Sequence, residues 1–69
     1  MKYIMTKHLE PIIFPDSIQH DTFEFLQPIS AGFVSIMDGK VSIYGESVTL
    51  RLKNDISDKF IIEKLLEKG

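Results

Sequence analysis

The chain has 69 residues, no cysteine and a formal charge of −2, with 43% apolar and 26% charged residues. It therefore reads as one folded domain, 1–69, and not as a disulfide-stapled mini-protein, a thiolate metal centre or a disordered acidic tail. The mild acidity also argues against a general nucleic-acid binder, whose phosphate contacts need a concentrated basic surface. A domain this short buries only about 60% of the surface its unfolded form exposes, so a homo-oligomer is the expected state.

Along the chain, Lys2 to Thr6 and Pro11 to Phe14 are the first predicted strands, joined by Lys7-His8-Leu9-Glu10 into an amino-terminal hairpin. The opening Met1-Lys2-Tyr3-Ile4-Met5-Thr6-Lys7 lacks the long apolar core of a signal peptide. No uncharged apolar run approaches the ~18 residues of a membrane-spanning helix, so a cytoplasmic protein without membrane contact is expected. Between Pro15 and Leu26, Asp16 with Gln19 and Asp21 with Glu24 have capping-box spacing, which predicts a helical turn or two before Pro28.

Ser30-Ala31-Gly32 leads into two alternating runs joined by Asp38-Gly39, a pair that tolerates the positive φ angles of a type I′ turn. This fixes the register. Ile36 should face Val41 and Val34 face Ile43 on an aliphatic side, with Met37/Lys40, Ser35/Ser42 and Phe33/Tyr44 paired on the other. After Tyr44 the apolar positions change parity, from Val41 and Ile43 to Val48, Leu50 and Leu52. A type II′ turn at Gly45-Glu46 would restore it by setting Ile43 opposite Val48 and Val41 opposite Leu50, giving a three-stranded meander; a bulge at Gly45 is the second solution.

Asn54, Asp55 or Ser57 can cap a final helix running to about Lys68 beside Gly69. Its Ile61, Ile62, Leu65 and Leu66 form one stripe that would cover the sheet, while Phe60, with Ile56 a turn earlier, falls outside it. The expected fold is thus α+β: a small antiparallel sheet, made of an amino-terminal hairpin plus a three-stranded meander, packed against a carboxy-terminal amphipathic helix.

No catalytic constellation is apparent. His20 beside Asp21 and Asp16 is the most suggestive titratable residue, but a cap or loop histidine next to an aspartate is commonplace. His8, in a polar turn, carries less. Neither histidine has metal-ligand spacing to the other or to a cysteine pair, and neither Ser30 nor Ser47 lies in a nucleophile-elbow pattern, so no metal, cofactor or catalytic residue is assigned. Ligand-binding candidates are His20, Phe33, Tyr44, Gly45, Glu46, Ser47, Arg51 and Lys53. In the meander, Arg51 would neighbour Lys40 and join Phe33 and Tyr44 in a basic and aromatic surface able to stack and pair a nucleotide. Ile56 and Phe60 are the candidate partner interface.

Pro11-Ile12-Ile13-Phe14, Gln19-His20, Ser30-Ala31-Gly32-Phe33 and Gly45-Glu46-Ser47-Val48-Thr49-Leu50 followed by Leu52-Lys53 together resemble a family of uncharacterised phage and prophage proteins of similar length. Arg51 departs from that pattern, which often carries glycine there. The resemblance implies a phage setting in a host cytoplasm and action by binding, with no established chemistry. Two readings follow. The first is a non-enzymatic homo-oligomer that captures a small anionic ligand, such as a nucleotide signal of host defence, between subunits. The alternative is an interaction module that inhibits or recruits a host protein through Ile56, Phe60 and the outer hairpin face.

Overall fold

The computed structural model describes residues 1–67, so the expected helix end at Lys68 and Gly69 lies outside the described residues. Strands β1 (Lys2–Met5), β2 (Pro11–Phe14), β3 (Ser30–Met37) and β4 (Lys40–Tyr44) form one four-stranded antiparallel sheet in the order β2-β1-β3-β4. The amino-terminal hairpin sets Tyr3 opposite Ile13 and Ile4 opposite Ile12. The β3-β4 hairpin has the register its alternation dictates, with Phe33 opposite Tyr44, Val34 opposite Ile43 and Ile36 opposite Val41. Asp38 and Gly39 close it at φ of 51° and 77°, as a type I′ turn requires. The two hairpins join because β1 pairs with both β2 and β3. Consecutive side chains of a strand point to opposite faces, so the complete burial of Tyr3, Ile4 and Met5 means that β1 is covered from both sides.

Helix α1 (Ile56–Glu67) supplies one cover and places Ile62 against Tyr3, Met5, Val34 and Val41. The other cover is a 3-10 helix (His20–Leu26) together with the segment after Gly45; Ile18, Phe23, Leu26, Leu50 and Leu52 pack there around Ile4, Phe14 and Ala31. The fold is α+β, with the sheet between two unequal layers. Among the described residues, no helix is long and apolar enough to cross a membrane.

Three local expectations differ from the structure. The third meander strand does not form. Glu46–Ser47 (β5) pairs instead with Leu52–Lys53 (β6) in a separate two-stranded ladder, Glu46 opposite Lys53 and Ser47 opposite Leu52, so Val48 and Leu50 do not face Ile43 and Val41. Gly45, at φ 71°, turns the chain out of β4, and the Asn54 side-chain amide holds the turn by donating to the Gly45 carbonyl at 2.8 Å. The parity conflict is resolved by face rather than by pairing, since Leu50 and Leu52 cross to the side of the sheet that α1 leaves open.

Between Pro15 and Leu26 the helical turn begins only at His20 and is of the 3-10 type. Its first-turn bond is the backbone N–H of Thr22 to the carbonyl of Gln19 at 3.1 Å, and Gln19 makes no side-chain cap, so neither capping-box pair is used. In α1, Ile62 is fully buried while Leu65 and Leu66 stay 50% and 43% exposed. The inward face is centred on Ile62 and, one turn earlier, on a buried acid, Asp58.

Candidate functional site

Phe14 on β2, Phe33 on β3 and Tyr44 on β4 lie in one row across the face opposite α1, because Lys2 on the intervening β1 is in register with both Phe14 and Phe33, and Phe33 with Tyr44. The 3-10 helix drops His20 between the two phenylalanines. Its ring meets each edge-on with centroids 5.5 Å apart, and Nε2–H donates to the Gly32 carbonyl at 2.8 Å. Phe23 packs on Phe14 at 4.7 Å and Tyr44 stacks on Phe33 at 5.6 Å, nearly parallel. A row of five rings therefore crosses the sheet. His20, only 5% exposed, is a stitch between the 3-10 helix and the sheet, and the row is most exposed at Tyr44, with Phe23 and Phe33 half-buried.

The remaining ligand candidates divide. Gly45 touches the row, since a Cβ there would lie 2.9 Å from Cδ2 of Phe33. Glu46 and Lys53 face each other across β5-β6. Ser47 is buried and holds the turn that follows it: its Oγ accepts the N–H of Leu50 at 3.3 Å and lies 3.3 Å from Oγ1 of Thr49. Arg51 closes that turn in the left-handed region at φ 57°, with its N–H on the Val48 carbonyl at 3.3 Å. The register that would have set Arg51 beside Lys40 is absent, because Arg51 belongs to the β5-β6 turn and not to a strand on β4. A groove of about 430 Å³ lies between Leu9–Pro11 and Ile61, Lys64 and Leu65, and neither it nor the grooves at the β3-β4 turn, beside Ile56 and between Thr6 and Gln27 are lined by His20, Phe33, Tyr44, Gly45, Arg51 or Lys53.

A polar cluster lies under α1. Asp58, 2% exposed, accepts on Oδ2 the hydroxyls of Tyr3 and Ser30, both at 2.6 Å, and the backbone N–H of Asp55 at 3.2 Å. The last of these is one half of a capping box, and Asp55 caps the helix on its side by accepting Ser57 N–H on Oδ1 at 2.9 Å. Burial first, and then the bond to the Asp58 carboxylate, push the Tyr3 phenol far above its ordinary value. The backbone N–H of Ser57 and then its hydroxyl hold the Asp55 carboxyl below the usual carboxylate range. A tyrosine, a serine and an acid in contact could pass for a reactive triad, but all three are sealed between sheet and helix, where no substrate reaches them. They tie β1, β3 and α1 together. The spacing Asp55-x-x-Asp58 was available in the sequence as a cap signal, whereas its distant partners were not.

Ile56 and Phe60 are 76% and 61% exposed. They lie one turn apart on the outer side of α1, and Ile56 with Lys59 forms a groove of about 310 Å³ against Ser42 and Ile43 of β4. Comparison with known protein families, with curated proteins and with solved structures finds no match to this chain. Among the described residues there is no group of three or more histidines and acids placed to hold a metal ion.

Proposed function

We propose that the chain is a non-enzymatic interaction module that acts by burying the margin of β4 and the outer side of α1 in a protein partner. The observation that carries this reading is the pair Ile56 and Phe60, two large apolar side chains left in water one turn apart on the outer side of α1, with Ile56 bordering β4. Exposed apolar side chains grouped in this way are candidates for association. The phage resemblance supplies a setting, a host cytoplasm in which the module inhibits or recruits a protein. Phe60→Asp tests it. The variant should keep its circular dichroism and melting temperature while losing its partner, whereas Phe25→Asp, which alters an equally bare side chain on the 3-10 helix (76% exposed), should keep it. Loss with Phe25→Asp and retention with Phe60→Asp would refute the reading.

Capture of a small anionic ligand, such as a nucleotide, by a homo-oligomer stands second. It is supported by the exposed Tyr44 stacked on Phe33, a surface on which a base could lie. It ranks lower because Arg51 lies in the β5-β6 turn and not beside Lys40, and Lys53 faces Glu46 across that ladder. Native mass spectrometry against a nucleotide panel should show binding that Tyr44→Ala removes; an assembly that takes up none of the panel ends this reading.

A further inference from the structure

We infer that Asp38 is a site of covalent modification, where the turn shared with Gly39 converts it to isoaspartate, a substrate for enzymes that methylate the free α-carboxylate of isoaspartyl residues. This is independent of the interaction reading. The chain has five aspartates, and Asp38 alone precedes a glycine. Conversion requires the main-chain nitrogen of the following residue to reach the side-chain carboxyl carbon, and a side chain on that residue stands in the way. At Gly39 the way is clear, since a Cβ built there would meet nothing within 4 Å.

The other four acids are held or obstructed. Asp58 is buried with three donors on one oxygen, Asp55 accepts the N–H and the hydroxyl of Ser57 at 2.9 and 2.8 Å, and Asp16 lies 3.3 Å from the terminal amine of Met1. Asp21 is exposed, but the residue after it is the β-branched Thr22, whose N–H is committed to the Gln19 carbonyl at 3.1 Å. Asp38 and Gly39 are both exposed. The turn closes through the facing pair Met37 and Lys40, which leaves the N–H groups of its two central residues free. Among the described residues no backbone hydrogen bond takes the Gly39 N–H and no salt bridge takes the Asp38 carboxylate.

The Gly39 nitrogen attacks Cγ of Asp38. An N–Cγ bond forms, a Cγ–O bond breaks, and the carboxyl hydroxyl departs as water with the amide proton, leaving a cyclic succinimide. Solvent water then adds to one of the two ring carbonyls. Addition at Cγ restores Asp38, whereas addition at the main-chain carbonyl carbon breaks its bond to the Gly39 nitrogen. In that second product the chain runs through Cβ and Cγ and the α-carboxylate stands free as a side group. The net mass is unchanged, and nothing is oxidised or reduced. The product carries an extra methylene in the main chain of a turn that takes two residues at φ of 51° and 77°, so it loosens the closing pair Met37 and Lys40.

Two substitutions bracket the reaction. Asp38→Glu would need an imide ring one atom larger, and Asp38→Asn forms the same succinimide by releasing ammonia in place of water. The full chain, aged in neutral buffer at physiological temperature, is treated with an isoaspartyl methyltransferase and a labelled methyl donor. Label should accumulate with age in the peptide that spans Met37 to Lys40, be lost in Asp38→Glu and rise in Asp38→Asn. An aged chain that takes up no label overturns the proposal, and label at Asp38 after ageing in urea alone would assign that failure to protection by the hairpin. Label that falls mainly at Asp16 or Asp21, or that persists in Asp38→Glu, overturns it as well.

Discussion

Asp58 gathers three donors on one carboxylate oxygen, and neither salt bridge among the described residues involves it. Its charge is compensated by hydrogen bonds and by the amino-terminal end of α1, where a negative group is favoured. Asp58→Ala removes the acceptor and strands two buried hydroxyls, so it should destabilise the fold by about 3 kcal/mol in urea denaturation. Tyr3 adds a pH dependence of known sign. Its phenol ionises near pH 10 in the unfolded chain and is held protonated in the fold, so the stability it contributes is complete below about pH 10 and is lost as pH rises beyond. Tyr3→Phe should therefore flatten the alkaline limb of the stability curve, and an unchanged limb would exclude the bond to Asp58. Asp55 works in the other direction. Its carboxyl is held low by Ser57, so its cap is intact above the ordinary carboxylate range and fails as pH falls through the folded value. Arg51 offers a gain. An L-residue at φ 57° is disfavoured, and Arg51→Gly should raise stability by about 0.5–1 kcal/mol unless the flexibility it adds to the unfolded chain offsets the relief.

Elements differ in how far the sequence dictated them. The β3-β4 hairpin was legible to the residue, because strict alternation and Asp38-Gly39 leave one register that buries Val34 and Val41. Helix α1 was legible in its place and its capping region, but not in its inward face, which takes in Asp58 and leaves Leu65 and Leu66 largely exposed. The β5-β6 ladder was not, since the face taken by Leu50 and Leu52 depends on which side of the sheet α1 has already covered, and that is decided by residues far along the chain. His20 and Asp58 were hidden for the same reason: their partners are 12 residues away at Gly32 and 55 away at Tyr3. Gly45 and Gly39 test the local part. Both have positive φ, but a Cβ at Gly45 would strike Phe33 at 2.9 Å while one at Gly39 meets nothing within 4 Å. Gly39→Ala should cost about 1 kcal/mol and Gly45→Ala about 2–3 kcal/mol in thermal denaturation. Equal losses would mean that Phe33 does not pack on the turn.

For the molecule as a whole, β1 is the buried axis, flanked by β2 and β3 and covered from both faces. The cover is uneven. Ile62 and the Asp58 cluster anchor α1 at its inner side, the 3-10 helix and its aromatic row close the opposite face, and Ile56 and Phe60 stay exposed on the outer side of α1. Of the residues read from the sequence as a site, His20, Phe33, Tyr44 and Gly45 come together as packing, with Tyr44 the most open ring of that group. Ile56 and Phe60, set apart because they fell outside the helical stripe, stay exposed. Partner binding by Phe60→Asp compared with Phe25→Asp tests the interaction reading most directly. Phe60→Asp should lose the partner with its circular dichroism unchanged, while Phe25→Asp keeps it. Retention by Phe60→Asp together with loss by Phe25→Asp would contradict the reading.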